Sequence, residues 1–209
     1  MIVGGEQLSV YSSAQDTTWG SVLFLKRLHI FFRIFSQAAG FSCSQKKQVE
    51  VVLGGDLSAM MILLGVGNTL LSDDGVGCWI ADTFSSNCLS SDGWKAFHGG
   101  TAPENFTAPI RREKPELLII VDAADMGLPA GSIRIIPPDQ VDDTSIGTHM
   151  LPLSHLMYYL SSDIPEILFI GIQPETIEPG ESLSPAVQDA AEALIEMLKK
   201  GDYASLERL

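Results

Sequence analysis

Three residues stand where a sheet protein can do metal chemistry: Asp74 in the stretch GVGNTLLSDDGVG, Asp122 closing LLIIVD, and His149 in the polar loop DDTSIGTHMLP. Ligands of open α/β sheets collect in the crevice outside the carboxyl ends of the strands, so polar residues directly after buried strands are weighed first. Two carboxylates and an imidazole make an O,O,N set that suits zinc, nickel, iron or manganese and leaves positions for water or substrate. Each residue also has an ordinary use. Asp73 or Asp74 could cap the helix that follows them. Asp122 could be a turn or cap residue, with Asp125 serving equally well. A lone loop histidine is more often a packing residue than a ligand. Taken alone, the trio is a candidate and no more.

The elements that must position these residues are legible from apolar runs and breakers. Met61–Val66 (MILLGV) is a short continuous apolar run of the kind a buried parallel strand shows, followed by the turn Gly67-Asn68. A helix is predicted to begin near Asp73 or Asp74 and to carry Val76, Trp79, Ile80 and Phe84 on one face. Trp94–Phe97 is a weak strand, and Pro103 to Arg112 a possible helix. Leu117–Val121 (LLIIV) is the strongest buried strand. Ser132–Ile136 is an antiparallel edge strand stopped by Pro137-Pro138. A helix over Leu153–Leu160, a strand over Ile167–Ile170 and a closing helix over Pro185–Leu198 complete an α/β fold. The expected architecture is a three-layer α/β/α sandwich around a mostly parallel twisted sheet of about five strands.

Charge divides the chain unevenly. Residues 1–59 hold five Lys/Arg against four Asp/Glu, a net +1, whereas residues 60–209 hold eight against twenty-two, a net −14. The first 59 residues lack strand–helix alternation and are read as an N-terminal extension with little stable tertiary structure, or as a start site placed too early, with an amphipathic docking helix over 21–36 as the rival. Residues 60–209 form the expected catalytic domain. A formal charge of −13 argues against a nucleic-acid groove, which needs clustered Lys and Arg. No apolar run reaches the ~18 residues of a membrane span; Lys26, Arg27, His29 and Arg33 interrupt the nearest candidate. Cys43, Cys78 and Cys88 are odd in number and lack Cys-x-x-Cys spacing, so neither a disulfide framework nor a thiolate zinc site is expected, and a reducing cytoplasm is the simplest compartment.

Competing chemistries find weaker support. The opening Gly65-Val66-Gly67-Asn68-Thr69-Leu70 partly imitates a dinucleotide-binding glycine loop, but Leu70 replaces its third glycine, and Asp73 and Asp74 would repel a pyrophosphate at the helix N-terminus. No Gly-x-Ser-x-Gly elbow is present. Cys78 and Cys88 have no evident activating base and read as packing residues. Gly99-Gly100 would let backbone approach a substrate closely, with an ordinary turn as the alternative. His155, on an apolar helical stretch, reads as structural.

Read in order, LLGVGNTLLSDDGVG, HGGTAPEN, LLIIVDAADMGLPAGSIRIIPPD, THMLPL and ILFIGIQP resemble the hydrogenase maturation endopeptidases, most closely the branch that processes the large subunit of hydrogenase 3 type enzymes. The similarity spans about residues 61–198; residues 1–59 have no counterpart. The resemblance implies that Asp74, Asp122 and His149 engage the metal, and that His98, Gly99 and Gly100 face the substrate, His98 standing where relatives carry Asp. It further implies a cleft admitting the C-terminal region of a hydrogenase large-subunit precursor, cleavage after a basic residue, and nickel supplied by that precursor, for which other divalent cations could substitute. A nickel-checkpoint chaperone that keeps the ligands without cleaving is the alternative function.

Overall fold

Apolar runs of four to seven residues, too short to make helices, become strands covered on both faces. The computed structural model describes residues 60–87, 93–144, 146 and 152–209. Within them β1 (Met61–Val66), β2 (Trp94–Gly100), β3 (Leu117–Ala123), β4 (Ile133–Ile136) and β5 (Glu166–Ile172) form one sheet in the order β2-β1-β3-β5-β4. The pairs β1–β2, β1–β3 and β3–β5 are parallel, and β4 runs antiparallel to β5 at one edge. Parallel neighbours need crossovers, which α1 (Val76–Asn87) and α2 (Thr107–Glu113) supply for the first three strands. The short α3 (Val141–Thr144) and α4 (Leu153–Leu160) precede β5, and α5 (Pro185–Lys200) follows it.

Because strand side chains alternate, each strand feeds two cores. Leu63, Ile119 and Val121 pack with Val76, Ile80 and Phe84 of α1 and Val187, Leu194 and Leu198 of α5 on one face. Ile62, Leu64, Leu118 and Ile120 pack with Ile110 of α2, Val141 of α3 and Leu156 and Leu160 of α4 on the other. The expected three layers and five strands are therefore present. Leu118, Ile119 and Ile120 are completely buried, and burial of each such side chain contributes roughly 1.5–3 kcal/mol. α5 shows why it starts and stops where it does: Ser184 is an extended N-cap, Pro185 occupies the first turn, and Gly201 closes the helix at φ 76° beside Lys199 and Lys200.

Order β2-β1-β3 creates a topological switch point. The chain leaves β1 towards β2 on one side, and leaves β3 towards β5 on the other, so a crevice opens between the carboxyl ends of β1 and β3. α1 approaches that crevice closely through Gly77, where a Cβ would lie 2.1 Å from the Val121 carbonyl oxygen and 2.3 Å from that of Val66. Neither backbone can yield, so Gly77→Ala is expected to lose about 3 kcal/mol or more, the upper end of overpacking costs, measured by urea denaturation. A wild-type midpoint would show that α1 is not held against these two strands.

Candidate functional site

Asp122 is the sixth residue of β3, and its parity directs it to the same face as Leu118 and Ile120. Asp74 lies in a 3-10 turn, Ser72–Gly75, between β1 and α1. The two converge on the turn Gly67-Asn68. Asp74 Oδ2 accepts the Asn68 N–H at 3.0 Å, and a Cβ on Gly67 would lie 1.8 Å from the Asp74 carbonyl oxygen and 3.4 Å from Asp122 Oδ1. Gly67 itself has φ 128°, open to glycine and strained for other residues. Asp122 Oδ1 also accepts the N–H of Ala123 at 2.8 Å. Both carboxylates are 1 % exposed. Asp74 is therefore not a surface-loop acid: the glycines at 67 and 77 allow the loop to fold down over the strand ends and take Asp74 with it.

The adjacent acids differ in their partners. Asp73, fully buried, accepts the N–H groups of Glu175 and Thr176 at 2.9 and 3.1 Å and both the N–H and Oγ–H of Ser184 at 2.6 and 2.8 Å. All its partners belong to the segment between β5 and α5. Asp125 likewise takes the turn role weighed for Asp122: its Oδ1 accepts the N–H of Gly127 at 3.3 Å and the Nε2–H of Gln173 at 3.1 Å.

His149 lies outside the described residues, as do Cys43, Cys88 and the extension 1–59 with its helix 21–36. The flanks of its loop are described. The Thr144 carbonyl accepts the N–H of Asp125, three residues beyond Asp122, at 2.9 Å. Asp142 accepts the Ser154 N–H at 3.2 Å and also its hydroxyl, joining α3 to the start of α4. Among the described residues no group of three His, Cys, Asp or Glu is placed to hold a metal ion; Asp74 and Asp122 are two of the three expected ligands.

His98 pairs with an acid on α1. Its Nδ1 lies 3.0 Å from Asp82 Oδ2 on α1, with both side chains well exposed. Gly99 and Gly100 serve β1: a Cβ on Gly99 would lie 2.9 Å from the Gly65 carbonyl oxygen, Gly100 has φ 60°, and its carbonyl accepts the Gly67 N–H at 3.1 Å. The register skips Gly99 as a bulge between Gly65 and Val66. On α4, His155 is exposed, not a packing residue.

Cys78 reports the local field. Burial pushes its thiol up to about 12, opposed by a hydrogen bond from the Gly100 backbone and reinforced by the negative charges of Asp122, Asp82 and Asp74. Its Sγ–H faces the carbonyls of Gly65 and Gly67 at 3.7 and 3.5 Å. Folded protein at pH 8 is therefore expected to leave Cys78 unmodified by iodoacetamide, with a thiolate fraction of about 10⁻⁴, and to react once denatured. Peptide mass mapping checks this, and native alkylation at a free thiol's rate would contradict it. An exposed thiol ionises near 9.0, so this group makes stability fall as pH rises from there towards 12, where the unfolded chain has lost a proton that the folded chain keeps.

Two residues outside the expected trio organise the site: Asp73, which the sequence offered only as a helix cap, and Gln173, which it did not single out. Gln173, 7 % exposed, accepts the N–H groups of Met126 and Leu128 at 2.7 and 3.2 Å, ordering the loop after Asp122. It directly follows the β5 run EILFIGI, so the strand-end rule that drew attention to Asp122 applies to it as well.

Fold and site together define an α/β/α sandwich whose switch point holds a pair of buried carboxylates. The family model for the hydrogenase maturation protease matches residues 79–200. Hydrogenase 3 maturation protease of Escherichia coli strain K12 is 38 % identical over 150 residues, covering 69 % of this chain and 95 % of that protein. The solution structure of the E. coli endopeptidase HycI superposes with a TM-score of 0.63 at 36 % identity, covering 72 % of this chain and 96 % of that one. A NiFe hydrogenase maturation protease from Thermococcus kodakarensis KOD1 gives 0.61 at 27 %, over 73 % and 96 %. The chain belongs to the hydrogenase maturation protease family. Among the described residues no helix is long and apolar enough to cross a membrane.

Proposed function

We propose that this enzyme removes the C-terminal extension of a hydrogenase large-subunit precursor, and that nickel already seated in the precursor is what Asp74, Asp122 and His149 grip. The observation that carries this reading is the convergence of Asp74 and Asp122 on the Gly67-Asn68 turn at the switch point. The hydrogen bond between Thr144 and Asp125 supports the third ligand, because it ties one flank of the His149 loop to the loop that leaves Asp122. The T. kodakarensis relative is a protease of a NiFe hydrogenase, in keeping with nickel as cargo. The oxygen and imidazole donors suit that ion.

A divalent ion shared by precursor and enzyme would fix the position of the scissile bond, polarise its carbonyl and acidify a bound water. Cleavage then follows only correct metal insertion. Either carboxylate can alternatively serve as general base. With both 1 % exposed, the rim of the site has to part as the precursor's tail enters.

Intact-mass spectrometry of a nickel-loaded precursor incubated with the enzyme tests the reading. Loss of a C-terminal peptide is expected. An unchanged precursor mass with retained binding would instead establish a nickel-checkpoint chaperone.

A further inference from the structure

Asp73 is a buried carboxylate that the proposed chemistry does not use, and a buried charge is an expensive way merely to join two loops. All four donors it accepts come from the segment that leads from β5 into α5. The same segment is laced to the Asp74 loop at a second level. Ser72, held at φ 46°, donates its N–H to the Gly180 carbonyl at 2.7 Å and its hydroxyl to the Glu178 carbonyl at 2.9 Å, while the Gly180 N–H reaches the Leu70 carbonyl at 2.9 Å. At its other end, Gln173 holds Met126, Leu128 and Asp125 in the loop after Asp122. One stretch of chain, Gln173–Ser184, thus clasps both the loop that carries Asp74 and the loop that leaves Asp122.

We infer that Gln173–Ser184 is a brace fixing Asp74 relative to Asp122, and that Asp73 is the positioning residue through which the brace sets the Asp74 carboxylate. This rests on the proposed function. Asp73 and Asp74 share a peptide unit within one 3-10 turn, so a backbone rotation that relieves Asp73 carries Asp74 with it. An amide at position 73 keeps the shape but turns one acceptor oxygen into an NH₂ group facing N–H or O–H donors, which forces such a rotation.

The test is steady-state processing of nickel-loaded precursor by wild type, Asp73→Asn and Ser184→Ala, at temperatures where circular dichroism shows each variant folded. Asp73→Asn is expected to lose about 100-fold in kcat, with KM within about twofold of wild type because the precursor's binding surface is unchanged. Ser184→Ala deletes one of the four donors and should lose roughly three- to tenfold in kcat. A role confined to stability would lower Tm and leave kcat of the folded enzyme alone. Wild-type kcat in folded Asp73→Asn overturns the inference, and if that variant does not fold, wild-type kcat in Ser184→Ala does. A wild-type enzyme that leaves the precursor intact overturns the proposed function, and the positioning role falls with it.

Discussion

Asp74→Asn is expected to stop removal of the precursor's tail, lowering kcat/KM by about 10³-fold, whether the carboxylate acts as a metal ligand or as a general base. The amide keeps an oxygen that can accept the Asn68 N–H, now at 3.0 Å from Oδ2, so the turn survives. It removes the negative charge that a divalent ion or a reacting water needs. Burial makes the substitution costlier than it would be on the surface, since Asp74 is 1 % exposed. A weakened hydrogen bond of this kind costs about 1 kcal/mol, or roughly 4 °C in Tm. Processing is followed by intact mass and stability by thermal melt. Cleavage at the wild-type rate would remove Asp74 from the chemistry, and collapse of the folded transition would make it a structural residue.

Withholding nickel from the precursor has the second large expected effect. Asp74 and Asp122 are both 1 % exposed, and a cation brought to buried carboxylates favours their charged forms. A precursor that arrives with its ion supplies that charge; one without it does not. The rate on nickel-free precursor is therefore expected to fall by about 10²-fold or more, the scale on which misplacing a scissile bond costs an enzyme. Restoring nickel to the same precursor should restore cleavage. Equal rates on loaded and nickel-free substrate would mean that the acids work without the ion.

How far this was legible in the sequence depended on where the deciding partner lies. LLIIV and MILLGV read as strands because both their faces are covered, one by α1 and α5, the other by α2, α3 and α4, so no polar alternation interrupts them. WKAFHGG is an edge strand with exposed positions, and its signal is correspondingly faint. Asp122 was identifiable because it ends a buried strand. Asp73 and Asp74 were not separable, being chemically alike and adjacent; the distinction comes from Glu175, Thr176 and Ser184, more than a hundred residues downstream. The same holds for His98, whose partner Asp82 sits on a neighbouring helix. Gly99 and Gly100 were expected to let backbone approach a substrate; within the fold Gly99 lies against β1, where a Cβ would meet the Gly65 carbonyl oxygen at 2.9 Å.

Anomalous diffraction at the nickel edge, from crystals of the enzyme grown with Ni²⁺, examines the convergence of the three side chains most directly. The expected result is one peak at roughly 2.0–2.2 Å from an oxygen of Asp74, an oxygen of Asp122 and a ring nitrogen of His149. A peak bound elsewhere, or a His149 ring beyond coordination reach of an ion held by the two carboxylates, would contradict it.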